Sequence, residues 1–240
     1  MSLNLEHATT QRLNHDLAAA ALKLPKAVTA AQAALAAVEA LKPPGESGTV
    51  ADAYLAGDPE LAHARAVARS VSRAVHEGWA EAVRRASVDV TCACSADGAD
   101  LLAQLAAKAA PLIADLTRAA DLNIELQALV RTGRTEDARI LADIDLTAAH
   151  LGDLFGLRHR IVGRHPWGPC DTWRNPEKLP RVSPAQSQSQ QLRGGIRAGA
   201  GLWFPTPGEA TSRAAELKAK ADKAKATDSQ GTRRKVAILL

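Results

Sequence analysis

A chain of 240 residues, 46 % hydrophobic but only 3 % aromatic, can bury a core, though an Ala- and Leu-rich one whose stability comes from helix length and number. No stretch approaches the ~20 consecutive apolar residues of a membrane span, and Met1 to Gln11 has neither the basic start nor the apolar run of a signal peptide, so a soluble, cytoplasmic protein is expected. Three cysteines, an odd number, suggest no disulfide framework and fit a reducing compartment, and a net charge of +4 by itself excludes no class of partner.

The charge is unevenly spread. Lys and Arg number 14 against 20 Asp and Glu over residues 1–155, but 16 against 6 over residues 156–240. The chain therefore divides on paper into an acidic helical part (1–155), an irregular basic arm (156–208) and a basic helix with its tail (209–240).

In chain order, helix one is expected from about Thr10 to Lys42, on a heptad seam of Leu17, Ala21, Leu24, Val28, Ala31, Leu35 and Val38. Pro25 removes a backbone donor within it and predicts a kink or a restart. Asp58-Pro59-Glu60 opens helix two, with Asp58 as cap. A stripe of Val67, Val71, Val75, Trp79 and Val83 carries it to about Ser87, after which Val88 to Cys92 reads as a connection. Helix three, about Asp97 to Arg131, places Leu102, Leu105, Ala109, Leu112, Leu116, Ala119, Asn123, Leu126 and Val130 on one seam, with a bend at Pro111. Gly133 ends it in a left-handed conformation, and Thr135 caps helix four, which carries Leu141, Ile144, Ala148, Leu151 and Phe155. Short links favour antiparallel neighbours, so the fold expected is all-α, an antiparallel four-helix bundle.

After Phe155 the periodicity stops and Trp, Pro, Gly and Arg take over. Residues 185–191, rich in Gln and Ser, read as a linker. A terminal helix from about Glu209 to Ala226 carries many lysines and little apolar periodicity, so it reads as solvated.

Candidate chemistry is sparse. Cys92-x-Cys94 with His165-x4-Cys170 supplies three thiols and an imidazole, the donor set of a closed zinc site. The C-x-C spacing is tighter than the usual knuckle, and the plain reading is three incidental thiols; no other cofactor is implied. Asp143 and Asp145 diverge on a helix. No phosphate-binding loop, dinucleotide fingerprint or nucleophile beside its base appears, so no enzyme is expected.

The basic, aromatic arm is the main functional candidate: Arg158, Arg160, Arg164, Trp167, Trp173, Arg174 and Trp203. Indoles and guanidinium groups anchor protein interfaces, neutralise phosphates and stack on bases, or simply dock the arm on the acidic part. Self-docking or a protein partner is preferred to nucleic acid. Trp167 and Trp173 are read as plugs of the core ahead of a partner platform flanked by Arg164 and Arg174. The expected function is thus a non-enzymatic structural or adaptor protein, of the kind found in mobile elements or virus particles. A nucleic-acid-binding accessory protein is the alternative, and a zinc-stapled protein the second alternative. Asn123, polar at a seam position, is read first as the wet edge of an intramolecular bundle and, as the alternative, as fixing the register of a homo-oligomer.

Overall fold

The computed structural model describes residues 3–43, 49, 53, 55, 57–122, 124–162, 167–181 and 183–237. Among them the protein is all-α: nine helices, 79 % helical, with no strands. The helices are α1 (Leu3–Ala19), α2 (Lys26–Ala40), α3 (Pro59–Ala96), α4 (Gly98–Asp121), α5 (Leu126–Arg131), α6 (Thr135–Ala142), α7 (Ile144–Val162), α8 (Gln188–Arg197) and α9 (Pro207–Ala237). They fall into two compact units, Met1–Leu101 and Leu102–Leu240. The boundary expected near residue 156 instead lies inside α7.

In the first unit, helix one is two helices. Pro25 starts α2 rather than bending a continuous rod, and Ala21, at φ +47°, turns the chain between them. Its N–H bonds the Ala18 carbonyl while Leu22 N–H reaches Leu17 O, which closes the end of α1. The two helices form an antiparallel hairpin, because His7 meets Glu39 and Gln32 donates to Asn14 Oδ1 at 2.9 Å. Both pack on α3. Arg84 lies 3.8 Å from Glu6, and Thr10 Oγ1 donates to Ser87 O, so α1 runs parallel to the second half of α3. Leu13, Leu17, Val28, Leu35, Val83, Ala86 and Val90 are buried. Trp79 Nε1 donates to Val38 O at 2.9 Å and so satisfies a carbonyl in the last turn of α2.

Helix α3 starts as its sequence demands: Asp58 Oδ1 accepts from Leu61 N–H at 2.8 Å, with Pro59 at the first position. It does not stop at Ser87. The β-branched run Val88 to Cys92 continues the helix to Ala96, because Val90 and Cys94 are wholly buried and packing overrides the weak local preference. At 1.5 Å per residue its 38 residues span about 57 Å, whereas α1 and α2 span about 25 Å each.

In the second unit the expected helices three and four are each divided. Helix α4 buries Leu105, Ala109, Leu116, Ala119 and Ala120, then ends at Asp121. There Arg197 takes the freed carbonyls, its Nε donating to Ala120 O at 2.7 Å and Nη2 to Leu122 O at 3.2 Å. Past the break the buried face shifts to Leu122, Leu129 and Ala138, leaving Val130 exposed. Asn123, read in the alternative as setting oligomer register, lies outside the described residues, but the seam that gave it that role ends before it. Gly133 ends α5 with φ +72°, as its sequence suggests. Thr135 is the first residue of α6 and makes no cap; the preceding Arg134 reaches instead to Asp137. Asp137 is clamped from two sides, its carboxylate 2.7 Å from both Arg118 Nε and Arg134 Nε.

Beyond Phe155 the segment expected to be irregular is largely ordered helix and turn. Helix α7 runs on to Val162, short 3-10 turns occupy Gly168–Asp171 and Pro176–Lys178, and the expected linker is the start of α8. Ser187 and Gln190 make a reciprocal capping box there: Ser187 N–H reaches Gln190 Oε1, and Gln190 N–H reaches Ser187 Oγ. The buried Ser189 then bonds Asp145 of α7.

Candidate functional site

The Trp/Arg segment is built around one guanidinium. Arg158, on α7, is 0 % exposed. Its Nη1 donates to Asp171 O at 2.8 Å, and its Cζ lies 5.3 Å from the ring centres of both Trp167 and Phe204. Each desolvated cation–ring contact is worth roughly 2 kcal/mol. Burial pushes this guanidinium below its ordinary value, and the Asp171 carboxylate, 3.7 Å from Nη2, opposes the shift. Asp171 also meets His159 Nε2 at 2.8 Å.

The tryptophans enclose this group. Trp167 is 5 % exposed and gives its Nε1–H to Thr211 Oγ1 at 2.8 Å; Cys170 and Ala210 complete its cluster, with Leu217 at the edge. The first turns of α9 are therefore packed, and the terminal helix is not merely solvated. Trp173 is buried against Gly195 of α8, so closely that a Cβ on Gly195 would stand 2.4 Å from the indole. Trp203 donates to Cys170 O at 3.1 Å, and Arg174 lies over its ring at 5.1 Å. Backbone pairs tie residues 172–175 to 200–203: Arg174 N–H to Gly201 O and Trp203 N–H to Thr172 O. Arg213 of α9 closes the assembly, donating to Arg174 O and Asn175 Oδ1.

Of the arm residues singled out by sequence, Arg158, Trp167 and Trp173 are thus interior, while Arg174 and Trp203 lie toward the surface. Arg160 is half-buried, its guanidinium near Gly156. Arg164 and His165 lie outside the described residues. The expected metal set does not converge on α3: Cys92 and Cys94, two positions apart, point about 200° from each other, one exposed and one buried. Burial and Asp97 raise the Cys94 thiol to about 11, and burial also raises Cys170, so both are poor nucleophiles at neutral pH.

A surface that sequence reasoning assigned to the core lies on α3. Val67, Val71 and Val75 are 50 %, 58 % and 52 % exposed, and Leu61 is exposed beside them. With Ala64, Ala68, Ala74 and Gly78 they form one apolar arc of about 140°. Arg65, Arg69, Arg73 and His76 occupy the opposite side. No helix among the described residues is long and apolar enough to cross a membrane. No protein family, curated protein or solved structure matches the chain.

Proposed function

We propose that this protein is a non-enzymatic adaptor that docks an amphipathic helix of a partner protein on the valine face of α3. The supporting observation is the stripe itself, three large aliphatic side chains at steps of four, each half exposed. Isolated surface valines are ordinary, but a periodic apolar face left half exposed is an interaction surface. Its alanines and glycine let a second helix approach closely. The Trp/Arg arm, first expected to dock the partner, then acts by holding the second unit together.

A photo-crosslinking side chain at position 71, used in the native host, would mark the partner. Purified, that partner should bind Val71→Asp at least about 10-fold more weakly than wild type, the scale of burying one valine, with helix content unchanged. Equal affinity would end this reading. A crosslink only to a second copy, with doubled mass on sedimentation, would replace the partner by self-association.

The alternative of nucleic-acid binding draws on the charge of residues 156–240. With Arg158 internal and Arg213 engaged with the Arg174 carbonyl, fewer cations remain for phosphates than the count suggests. Affinity for DNA or RNA falling steeply between low and moderate salt would favour it.

A further inference from the structure

Helix α8 carries a polar face of unusual composition. Gln186 before it, then Gln190, Arg193, Gly194 and Arg197, at helical spacing, line an open recess of about 350 Å³. We propose that this recess binds the phosphate group of a small phosphorylated molecule, a phosphomonoester or a pyrophosphate.

Every side chain lining the recess offers donors. The carboxamide oxygens of Gln186 and Gln190 are taken up by the N–H groups of Ser183 and Ser187, so the NH2 groups are the donors these side chains can offer a ligand. Arg193 Nε is buried, and among the described residues no hydrogen-bond acceptor serves it. Arg197 is pre-positioned, because Nε and Nη2 are fixed on the last carbonyls of α4, and Nη1 remains. No carboxylate lines the recess, and desolvation together with Arg197 lowers the Arg193 guanidinium, as a cation without an anion requires.

Two guanidinium groups and two amides supply more donors than one carboxylate accepts and match a dianionic, three-oxygen phosphate. The volume is at the small end of ligand sites. No aromatic side chain is among the lining residues to stack a base, which argues for a compact phosphate over a nucleic-acid strand.

Titration calorimetry at fixed ionic strength, with inorganic pyrophosphate, adenosine monophosphate and a single-stranded oligonucleotide, tests this. Saturable binding of pyrophosphate and the nucleotide is expected, weakened about 10-fold or more by Arg193→Gln at an unchanged melting temperature. The exposed Arg131→Gln should leave it intact. Arg193→Lys, which keeps the charge but not the fork, should fall between, and decides the matter if Arg193→Gln unfolds. No saturable binding, indifference to both Arg193 variants, or an equal loss in Arg131→Gln would overturn the proposal. So would tighter, Arg193-dependent binding of the oligonucleotide, which would make the recess a strand contact.

Discussion

Between Leu61 and Val75 four large aliphatic side chains lie on the outside of α3, while between Phe155 and Phe204 two indoles and a guanidinium lie inside. Residue type alone would have assigned the two segments the other way round. What decides is coverage. The α1–α2 hairpin is about half as long as α3, so it encloses Val83, Ala86 and Val90 and cannot reach Val67. Arg158, by contrast, is walled by Trp167 and Asp171, which bracket one 3-10 turn, and by Phe204 from a separate segment. A polar group buried with aromatic faces and a carbonyl is stable; an apolar group with no neighbour is simply exposed.

The comparison breaks most visibly at Trp167. Trp167→Ala should cost about 3–5 kcal/mol in chemical denaturation of the whole chain; a loss under about 1 kcal/mol, the scale of a surface substitution, would show that the indole is not core.

Glycine-to-alanine substitution sharpens it, because the sign should reverse between the segments. Gly195→Ala drives a methyl into the Trp173 ring and should destabilise by about 1–3 kcal/mol. Gly78→Ala, on α3 with nothing within 4 Å of the new Cβ, should stabilise by about 0.5–1 kcal/mol. Melting curves of the two variants moving in one direction would contradict the assignment.

The second unit should also carry an acid-sensitive element. Desolvation raises the Asp137 carboxyl, but the Arg134 and Arg118 guanidinium groups outweigh it and leave the value lowered. Its contribution is therefore full above the unfolded carboxyl value of about 3.9 and is lost as pH falls through the lower folded value. Asp137→Asn should flatten the fall in stability below about pH 4; an unchanged acid profile would exclude that role. Smallest of all, Val71→Thr should move stability by no more than about 0.5 kcal/mol, since the site has little packing to lose.

Much of the architecture was legible from local signals. The Asp58 cap, Gly133 and the restart at Pro25 act within a few residues, so their physics is contained in the sequence around them. The break after Asp121 was not, because Arg197, 76 positions later, completes the carbonyls there. Ser187 and Gln190 spell a capping box, yet they stand in a Gln/Ser-rich run whose composition masked it. The valine face was misplaced for one reason: a kinked helix of residues 10–42 would be long enough to cover α3, whereas a hairpin folded at Ala21 is not. The burial of Arg158 depends on Phe204 arriving from a distant position as well as on the nearby Trp167, and no local pattern announces it.

Alkylation of the native protein carrying Val71→Cys, read by mass spectrometry at low protein concentration, tests the exchange of roles most directly. The account predicts rapid labelling at position 71 and at the exposed Cys92, with Cys94 and Cys170 modified only in denaturant. Protection of position 71, or labelling of Cys170 beside Trp167 at a comparable rate, would contradict it.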